Sequence, residues 1–97
     1  MSTNLSINDI IKINILTISR YQFSINVCPS LTTVYELKQM CEKLQNVSLD
    51  YIRLLYQGKE MDDNQELSNY NLENNSVIHL TMKLGKNHLN QFLNHKN

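Results

Sequence analysis

The residues able to do chemistry are few and poorly grouped. Cys28 and Cys41 are the two thiols of the 97-residue chain. A cysteine becomes a nucleophile where a base, a cation or a helix N-terminus stabilises its thiolate, and neither stands in a motif of that kind. Cys41 falls instead on an apolar stripe at helical spacing, the usual setting of a small buried hydrophobe. Asp62 and Asp63 are paired carboxylates, but adjacent residues in a polar, turn-rich stretch suit solvation or capping better than general acid–base work. His88 and His95 stand seven residues apart, with no Cys or third His beside them, which is not a zinc-ligand pattern. Two glycines in the whole chain leave no Gly-rich phosphate loop. The expectation is a protein without catalytic residues, metal or cofactor.

Composition narrows the remaining classes. Nine basic residues offset nine acidic ones. Phosphate binding needs a basic footprint, so this balance argues against nucleic acid as a partner. Two cysteines cannot frame a disulfide scaffold. The longest apolar runs are three residues, such as Leu54-Leu55-Tyr56, against the roughly 20 that a membrane-spanning helix needs. The opening MSTNLSINDI lacks the basic start and apolar stretch of a secretory signal. Together these predict a reducing compartment, cytoplasm or nucleus, away from membranes. Leu, Ile, Val and Phe supply 29 of 97 residues, enough for the core of one small domain.

The elements follow from periodicity. Residues 1–10 read as a loose lead. Ile11, Ile13 and Ile15 alternate with Lys12 and Asn14, and Tyr21, Phe23, Ile25 and Val27 alternate with Gln22, Ser24 and Asn26. Period two predicts two half-buried strands, joined as a hairpin. Their connection has no Asn-Gly, so a loop longer than the tightest turn is expected. Pro29 closes the second strand. Thr33 and Glu36 have the spacing of a capping box. Val34, Leu37, Cys41 and Leu44 form a helical stripe, and Asn46 suits a left-handed stop. A third strand runs from Ile52 to Tyr56, ended by Gln57-Gly58. Lys59 to Met61 is a short fourth, and Ser76 to Leu84 a fifth. Between them, Leu67, Tyr70 and Leu72 anchor a polar stretch. Residues 85–97 read as a tail or linker. Strands with one helix crossing a mixed sheet make an α+β layout.

In that order the residues resemble the ubiquitin superfamily over about Ile11 to Leu84. Val27-Cys28-Pro29-Ser30 is similar to the end of the family's second strand. Thr33, Val34, Leu37, Lys38 and Cys41 are similar to its helix, with one extra residue near Leu31-Thr32. Asp50 and Arg53-Leu54-Leu55-Tyr56-Gln57-Gly58-Lys59 resemble the family's RLIFAGK stretch. Leu67-Ser68-Asn69-Tyr70-Asn71-Leu72 resembles LSDYNI, and Val77-Ile78-His79-Leu80 the final strand. The resemblance implies a β-grasp fold, four to five strands packed on one helix, with first and last strands parallel at the centre. It also implies a structural pair between Lys38 and Asp63.

The resemblance implies a binding face as well. If Leu54, Tyr56, Ile78, Leu80 and Met82 point inward, then Arg53, Leu55, Gln57, His79, Thr81 and Lys83 point outward. By similarity, Ile18, Arg53, Leu55, Gln57, Gly58, Lys59, His79, Thr81 and Lys83 form the recognition patch. Leu55 and Ile18 supply its aliphatic character, and Arg53, Lys59 and Lys83 ring it. Thr81 puts a hydroxyl where the family's patch is aliphatic, which is expected to weaken it. Conjugated relatives end in Gly-Gly; here Lys86 follows a single Gly85. The implied function is an unconjugated, monomeric ubiquitin-like domain of the ubiquilin or Bag type. Its partners would be proteasomal ubiquitin receptors or ubiquitin-binding helical motifs. The alternatives are a conjugated modifier, or a scaffolding module of an RNA-processing complex.

Overall fold

The computed structural model describes residues 9–83. Five strands form one mixed sheet, β1 (Ile11–Thr17), β2 (Gln22–Val27), β3 (Ile52–Tyr56), β4 (Lys59–Glu60) and β5 (Val77–Met82), in the order β2-β1-β5-β3-β4. One helix, α1 (Val34–Gln45), packs on one face. β1 and β5 are parallel neighbours at the centre, and the other pairs are antiparallel. This is the β-grasp that the sequence resemblance implied.

Local chemistry sets the helix limits. Thr33 Oγ1 accepts from the Glu36 N–H at 3.1 Å, and Glu36 Oε1 accepts from the Thr33 N–H at 2.9 Å. Two orphan donors of the first turn are thus satisfied reciprocally. At the other end Asn46 takes the left-handed conformation, φ 55°, and its N–H donates to the Glu42 carbonyl. Val34, Leu37 and Cys41 are buried as their spacing predicts. Leu44 corrects that stripe: it is 59% exposed. Val47, just past the left-handed cap, packs against the core there, and the last helical turn leaves Leu44 outside.

Turn chemistry sets the strand ends. The β1–β2 connection spans Ile18 to Tyr21. The Arg20 N–H donates to the Thr17 carbonyl, and Arg20 is left-handed at φ 74°. The β3–β4 turn is tighter: Gln57 and Gly58 both have positive φ, 53° and 81°. That is the primed geometry whose twist matches a hairpin. Ile13, Ile15, Ile52, Leu54, Ile78 and Leu80 meet the helix stripe on the inner face. Met61 and Leu67 seal the side, the latter opening a 3₁₀ turn, Leu67–Tyr70. Tyr70 Oη accepts from the Asp62 N–H at 2.8 Å, tying that turn to the end of β4. The N-terminal lead before Asp9, Leu84 at the end of the expected fifth strand, and the tail with Gly85, Lys86, His88 and His95 lie outside the described residues.

Candidate protein-binding face

The inner face of the sheet is spent on the helix, so the outer face is what the fold presents. Strand register determines who meets whom on it. Leu16 pairs with Gln22 on one side and His79 on the other. His79 pairs in turn with Leu55, and Leu55 with Glu60. One row therefore crosses all five strands, Gln22, Leu16, His79, Leu55, Glu60. His79 is exposed, and Leu16 and Leu55 are half-buried on either side of it. Along β5, Val77 and Thr81 lie before and after His79 on the same face.

Two residues of this face escaped the sequence reading. Leu16 follows directly after Ile15, so it looks like an interruption of the alternation rather than part of a surface. Only the parallel β1–β5 pairing sets it beside His79. Val77, at the start of β5, is exposed. An outward-pointing apolar residue beside an inward-pointing one was the available signal in both cases.

Thr81 differs in character from its sequence expectation. The residue is only half-buried, yet its Oγ1 has no exposed surface and, among the described residues, no hydrogen-bond partner. The hydroxyl is covered, so what the Thr81 side chain shows to solvent is carbon. The face is more apolar here than a threonine suggests.

The charged rim is also rearranged. Arg53 sits opposite Thr81 and forms an ion pair with Glu60, Nη2 to Oε1 at 3.1 Å. On β4 it is Glu60 that stands across from Leu55; Lys59 stands across from Tyr56, whose side chain packs toward the core. The expected cationic ring is thus interrupted by a carboxylate next to Leu55. Lys83, at the end of β5, lines a polar cleft with Glu60, Asp62, Asp63 and Lys38. Gln57 and Gly58 form the exposed β3–β4 turn beyond the row. Ile18 lies in the β1–β2 loop, 68% exposed. It lines a shallow cavity of about 290 Å³ with Val47, Leu80 and Met82, which belong to the inner side of the sheet. On the far side, Ser24 Oγ donates to Asn14 Oδ1 at 2.8 Å, and that pair makes the β1–β2 flank polar.

The groups that could have done chemistry are placed apart from this face. Cys41 is fully buried, and burial pushes its thiol up to about 12, away from a nucleophilic thiolate. Cys28 is buried near Ser30, with 3.7 Å between sulfur and oxygen. Asp63 is committed to Lys38, and the Asp62 carboxylate accepts from the Asn64 N–H. Among the described residues no group of three or more His, Cys, Asp or Glu could hold a metal, and no helix is long and apolar enough to cross a membrane.

Comparison with known proteins agrees with the architecture. The chain is 32% identical over 65 residues to the E3 ubiquitin-protein ligase parkin of Rattus norvegicus, covering 67% of this chain but 14% of parkin. It is 29% identical over 72 residues to ubiquitin-like protein 1 of Schizosaccharomyces pombe, 74% of this chain and 91% of that protein. To the NEDD8-like protein RUB3 of Arabidopsis thaliana it is 31% identical over 74 residues, 75% and 92% of the two chains. The chain thus spans a small part of the long relative and nearly all of the short ones. The ubiquitin family model matches residues 13–85, running from the first strand to just past the last, and by that match this chain belongs to the ubiquitin family.

Proposed function

We propose that this domain is a protein-interaction module of the ubiquitin–proteasome system, working in the cytoplasm or nucleus without catalysis of its own. Its outer sheet face takes a helical segment of a ubiquitin receptor, in the manner of the unconjugated domains of ubiquilin- or Bag-type proteins. The observation that carries this reading is the row in which Leu16 and Leu55 flank His79, with the Thr81 hydroxyl covered. Together with membership of the ubiquitin family, this strip of aliphatic surface on an otherwise polar sheet face supports an interaction site. The strip is small, so binding is weak, with dissociation constants of roughly 10 µM to 1 mM.

The similarity to a long ubiquitin-protein ligase and to short ubiquitin-like and NEDD8-like proteins supports either an interaction domain or a conjugated protein. The sequence after β5 favours the former, since Lys86 follows a single Gly85 where a conjugated protein carries Gly-Gly. The test is an NMR titration with a proteasomal ubiquitin-receptor fragment. Shifts are expected at Leu16, Arg53 to Leu55 and His79 to Lys83, and their loss in Leu55→Ala with the fold intact. Shifts confined to the helix, or equal binding by the variant, would sink the assignment. Incubation with ubiquitin-activating enzyme and ATP is expected to give no thioester. A thioester would make the protein a modifier.

A further inference from the structure

We infer that the open edge of β2 pairs antiparallel with β2 of a second copy of this chain, in one register centred on Ser24. The sheet order ends at β2, so among the described residues no strand lies beside it on that side. The neighbouring hydrogen bonds fix which groups face the opening. The Asn14 N–H donates to the Ser76 carbonyl, and the Lys12 carbonyl accepts from the Asn75 N–H, so these residues of β1 turn toward β5 and the loop leading into it. The Thr17 N–H donates to the Tyr21 carbonyl, so the alternate residues of β1 turn toward β2. Ile15 with Phe23 and Ile13 with Ile25 follow in the same phase. Backbone groups alternate sides along a strand, which leaves the N–H and C=O of Gln22, Ser24 and Asn26 aimed at the open edge.

A two-fold axis at Ser24 satisfies all three residues at once. Ser24 then faces Ser24 of the second copy, and Gln22 faces Asn26 of the second copy. Each such pair exchanges both of its hydrogen bonds. A register shifted either way sets Asn26 against Arg20, or Gln22 against Cys28, beyond the ends of the strand. The side chains agree with the centred register. Phe23 is half-buried and faces Ile25 of the second copy, so the apolar row from Ile15 to Phe23 runs on into Ile25 and Ile13 of the second copy. Tyr21 is 56% exposed, stacks on Phe23 with ring centroids 5.9 Å apart, and faces Val27 of the second copy. On the outer face the Gln22 amide stands beside the Asn26 amide, and the Ser24 hydroxyl is held back by Asn14 on β1.

Charge points to a second copy as the occupant. Edge strands that resist self-pairing carry Lys or Pro, or stay very short. β4, at the other edge, is two residues long and consists of Lys59 and Glu60. β2 is six residues long and has neither a charge nor a Pro. It therefore sets no like charges against itself across a two-fold axis, and it offers no charge by which to select a foreign strand. Two strands of this length bury little area, so the pair is transient, with a dissociation constant on the order of 1 mM. The monomer implied by the resemblance is its dilute form. The axis stands perpendicular to the sheet, so both outer faces point the same way, with the two His79 residues five strand spacings, about 24 Å, apart. One consequence rests on the interaction reading: a partner with repeated sites meets two rows at once.

The experiment uses the full chain, followed by NMR and sedimentation from about 20 µM to about 2 mM, a range that brackets the expected constant. Concentration-dependent shifts are expected to centre on the amides of Gln22, Ser24 and Asn26. A mixture of isotope-labelled and unlabelled chain should show an intermolecular contact between the α-protons of Phe23 and Ile25, which only the centred register brings together. Ser24→Lys sets two ammonium groups against each other at the axis and is expected to weaken association about threefold or more, with the fold checked by thermal melting. Mixing Ser24→Lys with Ser24→Asp should restore it, which a merely structural loss would not. Four results overturn the inference: no concentration dependence up to about 2 mM, shifts centred on the helix or the outer-face row, no Phe23–Ile25 contact, or unchanged association of Ser24→Lys. Slow hydrogen exchange at Gln22, Ser24 and Asn26 in the dilute chain also overturns it, because another segment then covers the edge. Each of these leaves the receptor-binding reading to its own titration.

Discussion

Lys38 Nζ lies 2.6 Å from Asp63 Oδ1, with the lysine side chain 4% exposed and the aspartate 44%. The two ends of this ion pair have unequal alternatives. Asp63 can return to water, but Lys38 sits in the wall of the core and cannot. Removing the acid strands the buried ammonium, so Asp63→Ala is expected to cost about 1–3 kcal/mol in a urea titration. Replacing the cation with an apolar side chain of similar length, Lys38→Met, is expected to be neutral or stabilising, because desolvation of the pair offsets its attraction. Equal losses in both variants would show that the attraction outweighs the desolvation.

Thr81→Val replaces a covered hydroxyl that has no protein hydrogen-bond partner among the described residues with a methyl of similar shape. Burial of an unsatisfied hydroxyl costs about 1–3 kcal/mol, so the variant is expected to be more stable by part of that amount. Binding of the receptor fragment should be unchanged or tighter, since the solvent-facing carbon surface is retained. A loss of stability would mean that the hydroxyl finds a partner in solution.

Thr33→Ala removes the side-chain acceptor of the capping box and is expected to cost about 1 kcal/mol. Glu36→Ala removes the reciprocal acceptor. Because the two hydrogen bonds share one turn, the double variant should lose less than the sum of the singles. Chemical denaturation of the three variants measures this, and strict additivity would mean that the two contacts act independently.

Cys41 gives a pH signature. Its thiol in the fold is pushed up to about 12 by burial, above its value in an unfolded chain. Below about pH 9 both states hold the proton, and the thiol adds no pH dependence. Between about pH 9 and 12 the unfolded chain ionises first, so unfolding becomes easier as pH rises, by up to about 1.4 kcal/mol per pH unit. Alkali acts on a protein in other ways too, so the comparison is between wild type and Cys41→Ala. The variant is less stable at neutral pH, having lost core contacts, but its stability should fall less steeply above about pH 9. Parallel curves would show that the thiol ionises in the fold as readily as in the unfolded chain.

What the sequence determined by itself was everything carried by local rules. The Thr33–Glu36 box and the Asn46 stop are hydrogen bonds and dihedrals within one helix, and residue spacing is enough to write them. The period-two alternation of Ile13 and Ile15, or of Ile78 and Leu80, identifies an inner and an outer face, because each strand must bury one side. Tertiary structure decided what lies next to what. Leu16 belongs to the candidate face only because β1 runs parallel to β5 in a register that sets it against His79, a pairing between residues more than sixty positions apart. Glu60 rather than Lys59 faces Leu55 because the two-residue turn at Gln57-Gly58 fixes the β3–β4 register. Leu44 is left exposed, despite its place on the stripe, because Val47 takes up the packing at the end of the helix. The Thr81 hydroxyl is covered in the fold, which residue type cannot specify. Periodicity says which way a side chain points; only the pairing of distant strands says what it meets there.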